Sequence, residues 1–305
     1  MGGDFAPEAT VLGAIQARRE FSEEHQITLI GDSDAAKEII KREAYDASLF
    51  EFIHTTEIIE MADHATKAMR KKQNSSISIG FQLLGEKKLD VFASAGNSGA
   101  MLIGSMFSIR PIGGVIRPCI TSVLPKESGG VGVILDVGIN ADCKPDVLYQ
   151  FAILGALYAE FVFNIKNPKV GLLNIGEEKE KGNLLTQASH QLMAGSEDFN
   201  FIGNVEGREI FEDKADVIVC DGFTGNVILK EAEAFYTLLR KRGLMDEYFD
   251  RFNYEIYGGT PVLGVNGNVL IGHGISSPKA IKNMLLLGLD LAEADLPNKI
   301  KKAFK

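Results

Sequence analysis

A chain of 305 residues that is 45% hydrophobic and 24% charged can bury a sizeable core, which excludes disorder, collagen and coiled coil as its main class. Acidic residues outnumber Lys and Arg by 41 to 32, and the net charge of −9 argues against a broad nucleic-acid-binding face. Three cysteines, Cys119, Cys143 and Cys220, form no CxxC pair and read as reduced thiols rather than a disulfide framework or zinc knuckle.

Along the chain, short β-rich runs alternate with helical stretches. Strands are expected at 27–30, 50–54, 89–93, 118–124, 132–136, 169–173, 199–202 and 216–220, and helices at 7–20, 34–43, 74–85 and 145–164. Strand–helix alternation predicts an α/β fold with a doubly wound, mostly parallel sheet. The near-continuous apolar run Val131-Gly132-Val133-Ile134-Leu135 fits a strand covered on both faces. The helix at 145–164 is apolar almost all round, so it is expected to be buried. No secretory leader is read before the first glycines, and the apolar stretch 149–165, interrupted by Glu160, is too short to span a bilayer. We expect one α/β domain over 1–305, with a helical hairpin inserted at about 227–253.

Chemistry concentrates at the strand ends. They run into Gly31-Asp32, Gly96-Asn97-Ser98-Gly99, Asp136-Val137-Gly138-Ile139-Asn140, Asn174-Ile175-Gly176-Glu177, Gly203-Asn204-Val205-Glu206 and Asp221-Gly222-Phe223-Thr224-Gly225-Asn226. Open α/β sheets bind ligands beyond the carboxyl ends of their strands. Gly and Asn are also ordinary turn residues, but so many such loops in one chain favour a shared polar crevice. The sequence has no GxxxxGK[ST] and no GxGxxG after a strand, and Gly96-Asn97-Ser98-Gly99-Ala100 lacks the closing glycine of a GxSxG elbow. The five histidines do not pair at ligand spacing, so no metal and no cofactor are expected. What remains is anion binding by backbone N–H groups and helix N-termini.

Several blocks, in order and over nearly the whole chain, resemble the bacterial phosphate acyltransferases of phospholipid synthesis (the PlsX family). They are Met1-Gly2-Gly3-Asp4-Phe5-Ala6-Pro7-Glu8, Ser94-Ala95-Gly96-Asn97-Ser98-Gly99-Ala100, Asn174-Ile175-Gly176-Glu177-Glu178 with Lys181-Gly182-Asn183, Ile202-Gly203-Asn204-Val205-Glu206-Gly207-Arg208, Cys220-Asp221-Gly222-Phe223-Thr224-Gly225-Asn226 and Tyr257-Gly258-Gly259-Thr260-Pro261. The resemblance implies the fold of the isocitrate and isopropylmalate dehydrogenases and the phosphotransacetylases. It implies transfer of a fatty acyl group from acyl-[acyl carrier protein] to inorganic phosphate, with the acyl phosphate passed to a membrane glycerol-3-phosphate acyltransferase. It also implies a cytoplasmic homodimer in peripheral contact with the membrane. Members of that family usually open with a short apolar strand leading into the Gly-Gly-Asp loop, whereas this sequence opens at the loop. Losing that strand would leave neighbouring ladder groups unpaired and loosen Gly2, Gly3 and Asp4.

The reaction needs a held phosphate, a stabilised carbonyl oxygen and a proton for the leaving thiolate. Candidates for the phosphate cradle are Gly96, Asn97, Ser98 and Gly99, against the plainer reading of a helix cap. Lys181 with Asn183 is the second group, against a solvated charge run, and Asp221 with Thr224, Gly225 and Asn226 the third, against helix capping. Gly2, Gly3, Asp4, Asp136, Asn140, Asn174, Glu177, Asn204, Glu206 and His273 are weaker candidates. Cys220 reads as a buried hydrophobe whose neighbouring carboxylate disfavours the thiolate. The apolar stripes Ile228, Leu229, Ala232, Phe235, Tyr236, Leu239 and Leu244, Met245, Tyr248, Phe249, Phe252 are read as core, dimer interface or membrane contact. Arg240, Lys241 and Arg242, with Leu244 and Met245, are the expected carrier-protein or membrane contacts.

Overall fold

The computed structural model describes residues 2–305. Its strands are β1 (Ile27–Gly31), β2 (Phe50–His54), β3 (Val91–Ser94), β4 (Cys119–Pro125), β5 (Val131–Leu135), β6 (Lys169–Asn174), β7 (Asn200–Glu206), β8 (Val217–Val219), β9 (Thr260–Leu263) and β10 (Asn268–Ile271). Its helices are α1 (Glu8–Arg18), α2 (Ser33–Arg42), α3 (Ala65–Lys71), α4 (Ser76–Gly85), α5 (Ser98–Gly104), α6 (Pro145–Phe161), α7 (Leu184–Met193), α8 (Gly222–Lys241), α9 (Glu247–Asp250), α10 (Tyr254–Tyr257), α11 (Pro278–Glu293) and α12 (Leu296–Ala303). The sequence reading expects one domain; by its packing the chain divides into two compact units, Met1–Arg110 with Tyr254–Glu293 and Pro111–Asn253 with Ala294–Lys305.

In the first unit, β1 and β2 form a parallel pair, and β10 pairs parallel with β3 and antiparallel with β9. Val11 and Ile15 of α1, Ile39 and Ile40 of α2, Ile27 and Phe50 share one core. In the second unit the strand order is β4-β5-β8-β6-β7, antiparallel between β4 and β5 and parallel elsewhere. The chain thus has an α/β fold with mixed, mostly parallel pairing, as the alternation predicts. Helix α6 is buried along most of its length, with Tyr158, Phe151 and Leu154 fully covered.

Two regions differ from expectation. Strands β9 and β10 escape the sequence reading because each has only four residues and Pro261 reads against a ladder position. The expected hairpin at 227–253 is one long helix, α8, starting at Gly222, followed by a return whose only regular element is the four-residue α9. That return is pinned to the β4–β5 turn, where Tyr248 donates to the Pro125 carbonyl (3.4 Å) and Arg251 to the Lys126 carbonyl (2.8 Å), and to the segment after β7, where Phe252 meets Phe211 edge-on.

Because β5, β8, β6 and β7 run parallel, their carboxyl ends lie along one edge of the sheet. The loops beginning at Asp136, Asp221, Asn174 and Glu206 therefore share that edge. In the first unit, parallel β3 and β10 likewise bring the loops after Ser94 and Ile271 to one end.

Candidate active-site loops

The first unit gathers three of the expected segments. The Asp4 N–H donates to the Gly274 carbonyl (2.8 Å), and a Cβ on Gly3 would lie 3.0 Å from the Ala95 carbonyl and 3.1 Å from that of Gly274. A Cβ on Gly2 would lie 2.8 Å from the Gly96 Cα. The opening loop thus fits closely between the β3 and β10 loops. His273 packs against Tyr254 with the rings tilted by 55° and their centroids 4.7 Å apart.

Asn97 is buried and does two jobs. Its Oδ1 accepts the Ala100 N–H (2.9 Å) and caps α5. Its Nδ2 donates to the carbonyls of Glu60, Met61 and Asp63 at 3.0, 3.2 and 3.0 Å, bolting the segment before α3 onto the loop. The cap leaves the Ser98 and Gly99 N–H groups without a partner among the described residues. These are free donors at the positive end of a helix, the chemistry that suits an anion.

The second unit has two loop groups. In one, Asp136 is fully buried and accepts from the N–H groups of Ile120 (3.1 Å), Ile139 (3.2 Å) and Asn140 (2.6 Å) and from the Asn140 side chain (2.9 Å). Asn140 also donates to the Pro118 carbonyl (2.8 Å), and its own carbonyl accepts the Gly222 N–H (2.7 Å). Asp221 caps α8 through the Thr224 N–H and hydroxyl, both at 2.9 Å. Gly225 lies against the Asp136 carbonyl, and exposed Asn226 faces Gly138. Burial, reinforced by neighbouring carboxylates, pushes the thiols of Cys119 and Cys220 well above their ordinary value and Cys143 up to about 12. None of the three carries a thiolate near neutrality.

The other group is a loop over 175–183, exposed for most of its length and held from beneath. Buried Asn174 donates to the Lys181 carbonyl (3.1 Å) and accepts the Ile175 N–H (2.9 Å). Buried Asn204 donates to the Glu178 carbonyl (2.9 Å). Gly182 has φ +93°, a backbone state few side chains tolerate, and sits against Thr186 and Asn174. Asn183 caps α7 through the Thr186 N–H (2.9 Å). The Lys181 stem lies over Gly176, where a Cβ would come 2.8 Å from its Cγ. Its ammonium group is exposed and unpaired among the described residues.

Lys214 is the clamp that the sequence reading misses. It binds Glu177 and, at 2.6 Å, Glu209, whose other oxygen accepts the Glu206 N–H (2.8 Å). Glu206 itself pairs with Arg208 at 2.6 Å. Burial works against both charges, yet the mutual hydrogen bonds and charge outweigh it, so Glu209 is lowered and Lys214 raised. In sequence, Lys214 stands within Glu212-Asp213-Lys214-Ala215-Asp216 and looks like a solvated run; no pattern there separates it from its neighbours.

Arg240, Lys241 and Arg242 lie at the far end of α8, about 30 Å along the helix from Asp221 at 1.5 Å per residue. Leu244 and Met245 follow them. These five are not brought to the loop edge.

Comparison with known proteins agrees with this geometry. A family model described as "Fatty acid synthesis protein" matches residues 1–299. A phosphate acyltransferase of Dictyoglomus turgidum is 41% identical over 98% of this chain and 94% of its own length. That of Endomicrobium trichonymphae is 42% identical over 99% and 95%. The chain belongs to the PlsX family of phosphate acyltransferases. The fold extends beyond this family: EutD phosphotransacetylase from Staphylococcus aureus (17% identity, TM-score 0.63) and a phosphotransacetylase from Streptococcus pyogenes (16%, 0.65) each match 94% of the chain and 92% of their own.

Proposed function

We propose that this phosphate acyltransferase moves a fatty acyl group from acyl-[acyl carrier protein] to inorganic phosphate. The observation that carries the reading is the unpaired Lys181 ammonium on a triply clamped loop, in a chain 41% identical to phosphate acyltransferases over nearly its whole length. A phosphate oxygen attacks the thioester carbon and forms the new C–O bond. The carbonyl electrons move onto oxygen, then return as the C–S bond breaks. Hydrogen phosphate loses its proton as it becomes acyl phosphate, and the leaving thiolate gains one, so the reaction balances without an added acid. Lys181 is suited to hold the phosphate charge and relay that proton. One well-placed donor of this kind is worth roughly 3–4 kcal/mol in the transition state. No protein nucleophile is needed, which agrees with the raised cysteine thiols.

Around this core we place the rest of the reading. The acyl phosphate passes to a membrane glycerol-3-phosphate acyltransferase, and the enzyme works in the cytoplasm as a homodimer at the membrane surface. Exposed Phe235, Leu238 and Leu244 support the last point, since they form an apolar stretch that needs a cover. Among the described residues, no helix is long and apolar enough to cross a membrane.

The test is release of free carrier thiol from a long-chain acyl-[acyl carrier protein], with and without inorganic phosphate. The expected result is thiol release that depends on phosphate, matched by acyl phosphate trapped with hydroxylamine. Thiol release at the same rate without phosphate would overturn the reading.

A further inference from the structure

The stretch His64-Ala65-Thr66-Lys67-Ala68-Met69-Arg70-Lys71-Lys72-Gln73 holds four Lys or Arg and no acid, in a chain where acids outnumber those bases 41 to 32. Its helix is α3. Lys67, Arg70 and Lys71 stand at i, i+3 and i+4, so they share one face. All three are exposed, and none has an ion pair among the described residues. Like charges at this spacing repel. Lys72, next along, is different: its ammonium binds Asp63 (2.6 Å) and the Ile58 carbonyl (2.7 Å), a structural role. The segment leading into α3 does not neutralise the face either. Asp63 is taken by Lys72, which leaves Glu57, an acceptor of the Asn74 N–H (2.8 Å), and Glu60 as its two carboxylates without a cation among the described residues, fewer than the three bases of the face.

This face is attached to the candidate site. Asn97 grips the carbonyls of Glu60, Met61 and Asp63, and a Cβ on Gly99 would come 2.9 Å from the Ala65 side chain. The first turn of α3 therefore touches the loop that bears the free Ser98 and Gly99 N–H groups. A partner seated on Lys67, Arg70 and Lys71 would be held beside those donors. The basic triplet 240–242, by contrast, is followed closely by Asp246, Glu247 and Asp250.

We infer that the Lys67–Arg70–Lys71 face of α3 is the docking surface for an acidic protein partner, the carrier that delivers the thioester; its identity as a thioester carrier rests on the function proposed above. Three unpaired cations on one face give long-range attraction and orientation, and rim charges of this kind act mainly on encounter and KM. An arm extending from the docked carrier then needs to travel only past the Asn97 loop.

The experiment uses the full chain with Lys67→Glu, Arg70→Glu and Lys71→Glu combined, and a neutral set with Gln at the same positions. Binding of a fluorescently labelled acyl carrier protein is measured beside turnover of two donors, the carrier-bound thioester and the same acyl group on a small neutral thiol. The charge reversal should weaken carrier binding and raise its KM on the order of tenfold or more, and the Gln set less. Turnover of the small thioester should stay within about twofold, showing that the fold and chemistry survive. Raising salt should weaken the wild type and leave the reversed variant almost unchanged. Unchanged carrier binding in both variants would overturn the docking surface, as would loss of binding to anionic vesicles with carrier binding intact, which would assign the face to lipid. Because binding is read directly, a wild type that binds the carrier through this face but turns over neither donor with phosphate would overturn the proposed reaction and leave the docking surface standing.

Discussion

The two loop groups at the carboxyl edge of the β5-β8-β6-β7 sheet use polar residues in opposite ways. Around Asp136, every carboxylate oxygen is consumed inside the protein: Ile120, Ile139 and Asn140 all donate to it, and Asp221 spends both of its oxygens on Thr224. Around Asn174, the buried side chains hold main-chain carbonyls and lift an exposed lysine whose ammonium is left over. The first group is a buried knot that fixes the backbone, and the second a platform for a free charge. In both, residue type alone is a poor guide to role. What separates them is whether the polar atoms still have capacity after the loop has been built.

The largest effect should come from breaking the knot. Asp136→Ala leaves the part-buried N–H groups of Ile120 and Ile139 and the buried N–H of Asn140 without an acceptor. At roughly 1–3 kcal/mol for each unsatisfied group, the loss should be on the order of 4 kcal/mol. That is a large share of a typical domain's stability. A urea titration should show the midpoint falling steeply. A near-normal midpoint with activity lost would mean that Asp136 acts on substrate, and the contrast between the two groups would fail.

Lys181→Met tests the platform. The ammonium has no partner to lose, so the urea midpoint should hold within about 0.5 kcal/mol. Phosphate-dependent kcat/KM should fall roughly 100- to 1,000-fold, the usual effect of removing one preorganised charge or donor. Activity within threefold of wild type would return Lys181 to the solvated run that it resembles in sequence.

This division marks how far the sequence could be read. Strands β1, β2 and β6 fall where apolar runs place them, because burial imposes a pattern on consecutive residues. The loop candidates follow from their position after strands, and Asn97, Asn174, Lys181 and Asp221 do lie in such loops. Their separate duties were not legible. Asp136 is drawn inward by donors from Ile120, sixteen residues earlier, as well as from its own loop. Glu209 and Lys214 meet Glu177 across more than thirty residues. Pairings of that range depend on strand order, and one sequence does not record it.

The smallest effect, and the one that joins both behaviours, belongs to Lys214→Met. Glu177 is more than half exposed, so its pairing adds little. Glu209 is nearly buried and should account for most of a loss of about 1–2 kcal/mol. Its pH dependence has a definite sign. Glu209 is lowered in the folded protein, so the stability it contributes is present above the ordinary glutamate value, about 4.3. It is lost as pH falls through the lowered one. Lys214 is raised, so its contribution is present below about 10.4 and is lost as pH rises through the raised value. The stability gap between wild type and variant should therefore be flat between those limits and close beyond each. The kinetic readout separates positioning from mere stability. A loosened 175–183 loop still carries Lys181, so KM for phosphate should rise several-fold while kcat changes less. Lys214→Arg, which keeps the charge and can span both glutamates, should restore most of the difference. If the Arg variant matches Met in KM, the clamp does not position Lys181, and the platform is held by Asn174 and Asn204 alone.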